Sequence, residues 1–116
     1  MQAWPRLQGR ITPIEGDADG VPVDGTDVVV SCHACGALTD RAIACATQAR
    51  ARLAVLPCCH DVETCDTGGL TGWMDAPLAI DAARVLRLQT LGYRVRTQLI
   101  PATVTPKNRL ILAEPV

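Results

Sequence analysis

Two short apolar runs, each ending in a cluster of Cys and His, dominate the hydropathy pattern of the chain. Val28-Val29-Val30 runs into Ser31-Cys32-His33-Ala34-Cys35-Gly36, and Leu53-Ala54-Val55-Leu56 runs into Pro57-Cys58-Cys59-His60-Asp61. Continuous β-branched and aliphatic runs of this length read as strands buried on both faces. The stretch between them has helical spacing, so the three segments predict a right-handed βαβ unit with parallel strands. Both strands then finish at one sheet edge, about 4.8 Å apart, and bring the two Cys/His clusters side by side. Ligand sites of open α/β sheets lie beyond that carboxyl edge.

The connecting helix is expected to open at Leu38-Thr39-Asp40, with Thr39 or Asp40 as its N-cap. Leu38, Ala42, Cys45, Ala46 and Ala49 form the expected buried face, with Arg41, Gln48 and Arg50 outward. Residues 61–74 are rich in Asp, Thr and Gly and read as a long loop over the carboxyl edge. A second helix is predicted from an Asp75 N-cap to Leu91, with Pro77 in its first turn and Gly92 just past its end. Its expected buried stripe is Leu78, Ala82, Val85 and Leu86, with Asp81, Arg84 and Arg87 in solvent. Tyr93 to Leu99 alternates strictly and Arg109 to Ala113 is a last apolar run, so the chain should close with an antiparallel hairpin. Ahead of all this, Arg10 to Glu15 alternates around Pro13, which suits an edge strand or an extended arm.

Composition narrows the picture. The 116 residues make a single domain, 1–116, large enough for a core, and with three aromatics that core must be aliphatic. Ten Arg and one Lys are spread along a chain of formal charge −1, so no nucleic-acid footprint stands out. No apolar stretch is long enough to span a membrane, and Met1 to Arg6 has no secretory h-region. Six Cys without an export signal imply reduced thiols and a cytoplasmic protein.

The clusters offer three chemistries. His33 or His60 could take a proton from an acceptor group, since an imidazole titrates near neutrality. Cys32, Cys35, Cys58 and His60 supply the four N/S ligands of tetrahedral zinc. Against zinc, Cys58 and Cys59 would point apart if the strand ran through them. Cys35, ahead of a helix, could be a low-pKa nucleophile.

The order of these elements resembles the later half of a class I S-adenosylmethionine-dependent methyltransferase. The resemblance is carried by His33-Ala34-Cys35-Gly36 after the first strand, Thr39-Asp40 opening the helix, and Cys58-Cys59-His60 after the second strand. Thr105-Pro106-Lys107-Asn108 in the hairpin adds to it, and the match runs from about Arg10 to Ala113. It implies a Rossmann-like α/β sheet with a terminal antiparallel hairpin. It also implies a methyl transfer to an acceptor the sequence does not disclose. Gly16-Asp17-Ala18 resembles the end of the family's third strand, which makes Asp17 and Ala18 cofactor-binding candidates together with Cys32 and His33. His33, Cys35 and His60 become the candidate catalytic residues. The family's Gly-rich first strand–turn and its ribose-binding acid have no counterpart here. The resemblance therefore implies the C-terminal part of a methyltransferase, poor at holding the cofactor alone and prone to self-association through uncovered strands. The alternative is a non-catalytic Cys/His module that binds zinc or a partner subunit.

Overall fold

The computed structural model describes residues 5–17 and 20–116. It is an α/β fold: strands β1 (Val28–Cys32), β2 (Arg52–Leu56), β3 (Tyr93–Leu99) and β4 (Arg109–Pro115), and helices α1 (Ala37–Gln48) and α2 (Ala76–Thr90). The sheet order is β1-β2-β4-β3. β1 and β2 are parallel, in a register that sets Val28 opposite Arg52 and Cys32 opposite Leu56. β4 lies antiparallel to both β2 and β3. The βαβ unit and the closing hairpin stand as the sequence predicts.

The core is aliphatic and lies on one face of the sheet. Ile43 and Ala46 of α1 and Leu88 of α2 pack with Leu53, Val55, Ile111, Ala113 and Tyr93. Tyr93, the largest of these side chains, donates its hydroxyl to the carbonyls of Ala51 at 2.8 Å and Ala46 at 3.3 Å. Arg50 (φ 56°) caps its ring, with the guanidinium 5.0 Å from the centroid.

Burial on both faces is not realised. Both helices lie over the Leu53/Val55 face, and the strand pleat sends alternate residues the other way. On that second face Val28 and Val30 are 54% and 66% exposed, beside exposed Arg52, Arg94 and Arg96.

The buried helix faces also differ from the expected ones. In α1 the buried residues are Thr39, Ile43 and Ala46, whereas Leu38 is exposed and Ala42, Cys45 and Ala49 are half-buried. The cap is Gly36, and Thr39 instead donates its hydroxyl to the Ala34 carbonyl at 2.8 Å. In α2 the N-cap is Asp75, whose side chain accepts from the Leu78 amide at 2.9 Å, as expected. Its buried set, however, is Ala79, Ile80, Asp81, Ala83, Arg84 and Leu88. Leu78 and Leu86 are exposed instead, and with Ala82 and Val85 they line an open groove of about 500 Å³ against Leu99 and Leu110. Ion pairing turns the helix: burying Asp81 and Arg84 together satisfies both charges, which apolar periodicity does not register.

Residues 10–15 form no strand; they are exposed chain, so the extended arm holds and the edge strand does not. Pro13 lacks a ladder donor, and no described strand pairs with this segment.

Candidate functional site

The loop after β1 and the loop after β2 meet at the carboxyl edge of the sheet. The His33 amide donates to the Leu56 carbonyl at 2.9 Å, and the Gly36 amide to the Cys59 carbonyl at 2.8 Å. These bonds continue the parallel pairing past the strand ends and lock one loop onto the other. Two residues bend the first loop to make this possible: His33 at φ 57° and Gly36 at φ 54°, ψ −125°. The second conformation is essentially restricted to glycine.

Cys35 Sγ lies 3.8 Å from Cys58 Sγ. The Sγ atoms of Cys35, Cys58 and Cys59 are all within 4.8 Å of one another, with Cys58 buried and the other two exposed. Three such sulfurs could hold a metal ion. β2 ends at Leu56, so the strand alternation that would part Cys58 from Cys59 no longer applies, and both turn toward Cys35. The neighbouring sulfurs of Cys59 first, and then Cys58, push the Cys35 thiol up to about 11. A thiol held this far above neutrality is protonated and a weak nucleophile at neutral pH, which disfavours the nucleophile reading.

The zinc quartet of the sequence reading is not assembled as such. Cys35 and Cys58 are in the group, but Cys32 and His60 are not. Cys32 is exposed at the end of β1, and His33 is exposed beside it. His60 is turned to the helix layer: its side chain is 4% exposed, and Nε2 lies 2.9 Å from Asp81 Oδ1. Asp17 is exposed, with its carbonyl accepting from the Gly20 amide, and it belongs to no strand. The third-strand reading of Gly16-Asp17 therefore fails for want of a pairing partner. Ala18 falls outside the described residues.

Asp81, which helical spacing places in solvent, is buried and is the hub beneath this edge. Its carboxylate meets His60 Nε2, Arg84 at 2.9 Å and, through Oδ2, Arg109 Nε at 2.8 Å. Arg84, 3% exposed, pairs with Asp40 of α1 at 2.8 Å and reaches the Gly36 carbonyl at 3.3 Å. Burial would depress the Arg84 guanidinium, but the hydrogen bond and charge of Asp40, with Asp81, outweigh it and hold it above its ordinary value. Cys65 also belongs to this group, with Sγ 3.7 Å from Asp40 Oδ2. The one sequence signal for the hub is the Asp81/Arg84 spacing, three apart on one helix face.

On the other side of His60 lies a cleft of about 240 Å³ lined by Pro57, Asp75, Pro106, Lys107, Asn108 and Arg109. It joins the second Cys/His loop to the hairpin loop. No helix among the described residues is long and apolar enough to cross a membrane. No family model, curated protein or solved structure matches the chain.

Proposed function

We propose that this chain is the C-terminal part of an S-adenosylmethionine-dependent methyltransferase that passes a methyl group to an acceptor bound at the carboxyl edge of its sheet. The observation that carries the reading is the meeting of the His33–Gly36 and Pro57–His60 loops at that edge, joined by the Gly36–Cys59 hydrogen bond. The motifs that resemble the family thus fall where an α/β sheet holds its ligands. A terminal antiparallel hairpin, which the same resemblance implies, follows them. Methyl transfer to an already nucleophilic acceptor needs mainly in-line positioning. In this reading exposed His33 is the candidate proton acceptor. His60, fixed by Asp81, shapes the pocket wall toward the Lys107–Arg109 cleft.

Calorimetry with S-adenosylmethionine tests the proposal on two proteins: the 116-residue chain, and the chain extended by any in-frame sequence encoded upstream of Met1. The expected result is micromolar binding by the extended protein and binding weaker by roughly a hundredfold or more, about 2.8 kcal/mol, by the chain alone. An extended protein that fails to bind, or an upstream frame without a Gly-rich strand–turn, overturns it. Micromolar binding by the 116 residues alone would leave the activity standing and remove the incomplete-site argument.

The convergence of three thiols favours a second reading, a non-catalytic module that holds zinc or a partner subunit at the same edge. Protein purified without added metal should then carry about one equivalent of zinc.

A further inference from the structure

Zinc–sulfur bonds of 2.3 Å in a tetrahedron set neighbouring sulfurs about 3.8 Å apart. Cys35 and Cys58 already stand at that separation, 3.8 Å, and Cys59 lies within 4.8 Å of both. The other donors near this edge are engaged elsewhere. His60 Nε2 is held by Asp81, Cys65 Sγ lies between Asp40 and Arg84, and Asp61 Oδ1 accepts the amides of Glu63 and Thr64. Cys32 and His33 stand outside the sulfur group.

We propose that Cys35, Cys58 and Cys59 bind one thiophilic divalent cation of the zinc class through three thiolates and leave its fourth position to an exchangeable ligand from solvent. The inference rests on the metal-module reading and narrows it from a closed four-ligand site to an open three-ligand one. Closed sites serve structure, whereas a position left to water or substrate lets the cation act on what binds there. Exposure of Cys35 and Cys59 puts that position on the solvent side, with buried Cys58 behind it. The Gly36–Cys59 and His33–Leu56 hydrogen bonds hold the two loops together without metal, so three of the ligands are arranged in advance. On binding, three S–H bonds are exchanged for three metal–sulfur bonds and three protons leave to buffer.

Titration of the reduced chain with Co(II), displaced by Zn(II), tests this. One equivalent of Co(II) should give a thiolate-to-metal charge-transfer band. The band should vanish in Cys35→Ser, Cys58→Ser and Cys59→Ser and persist in Cys32→Ser, His33→Ala and His60→Gln, with circular dichroism confirming that each variant is folded. Added 2-mercaptoethanol should shift the ligand-field bands by occupying the fourth position. Loss of binding in folded Cys32→Ser, His33→Ala or His60→Gln, or spectra indifferent to the added thiol, would overturn the open site while leaving a metal module standing. A wild-type chain that takes up neither Co(II) nor Zn(II) sinks both and leaves the methyltransferase reading untouched.

Discussion

Arg109 on the last strand donates from Nε to Oδ2 of Asp81 on α2 at 2.8 Å, and this bond fastens the hairpin to the helix layer. Asp81 is the common partner of three cationic or titratable side chains, and its own side chain is 6% exposed. Removing its carboxylate leaves buried Arg84 with Asp40 as its remaining acidic partner and takes from His60 Nε2 and Arg109 Nε the oxygens they meet. Asp81→Ala should therefore destabilise the fold by about 1.5–3 kcal/mol, the cost of losing buried hydrogen bonds to a charged group. Arg109, 37% exposed, can turn to water, so Arg109→Ala should cost about 1 kcal/mol or less. Urea unfolding of the two variants measures the contrast, and equal losses would dethrone Asp81 as the hub.

Tyr93 fastens the other end of the sheet. Its hydroxyl, buried with the core, donates to Ala51 and Ala46, and burial holds it above its ordinary pKa, so it stays a neutral donor. Tyr93→Phe keeps the ring and strips the hydroxyl donor from the Ala51 carbonyl, whereas the Ala46 carbonyl keeps the Ala51 amide at 2.9 Å. A loss of about 1–3 kcal/mol is expected in thermal or urea unfolding, the penalty for an unsatisfied buried acceptor. An unchanged midpoint would mean that water reaches the Ala51 carbonyl.

What could be read from the sequence, and what could not, divides along physical lines. Val28–Val30 and Leu53–Leu56 declare themselves because parallel strands need continuous apolar runs, and the meeting of Cys35 with Cys58 follows from their direction. Asp75 and Gly92 are equally legible, since a cap and a left-handed residue (φ 84°) are local requirements. The buried face of α2 was not legible. Arg84 and Asp81 bury only because Asp40, His60 and Arg109 come from elsewhere in the chain to meet them. A hydropathy stripe through Leu78 and Leu86 points to the wrong side for the same reason. The direction of the vicinal pair Cys58-Cys59 is not legible either, because where a strand stops decides which way its next residues face.

The thiol cluster has its own pH signature. In the metal-free chain Cys35 has its pKa raised from the ordinary 9.0 to about 11, because Cys59 and Cys58 surround it. A raised folded-state value means that this group's contribution to stability is fully present below about pH 9 and lost as pH climbs through about 11. Alkylation of Cys35 by iodoacetamide, followed by peptide mass spectrometry, should be slow at neutral pH and keep accelerating until it levels off above about pH 11. In Cys59→Ser the acceleration should move to lower pH. Rapid alkylation of Cys35 in the wild-type chain at pH 7 would show that the cluster does not hold the proton.

β1 leaves one edge unpaired among the described strands, and its Val28 and Val30 are exposed on the uncovered face. An apolar strand edge of this kind templates pairing with another chain. Sedimentation should show association rising with protein concentration, and Val30→Lys should suppress it. The same substitution should change stability by no more than about 0.5 kcal/mol, because an exposed position away from the core is permissive. A wild-type chain that stays monomeric at high concentration would contradict the exposed edge.

Gly36 joins fold and site at one backbone position. At φ 54° and ψ −125° it lets the chain leave Cys35 and enter α1 directly, while its amide reaches the Cys59 carbonyl. A Cβ there meets only Asp61 Cβ, at an unstrained 3.6 Å, so crowding does not forbid a side chain. The backbone does: a non-glycine residue in this region costs about 1–3 kcal/mol. Gly36→Ala should lower the urea midpoint accordingly in the presence of EDTA, where no metal contributes. Relaxation of the strain would swing Cys35 away from Cys58, so diamide should produce the Cys35–Cys58 disulfide more slowly than in the wild type. If Gly36→Ala lost stability but oxidised at the wild-type rate, the helix entry would depend on glycine and the meeting of the two sulfurs would not.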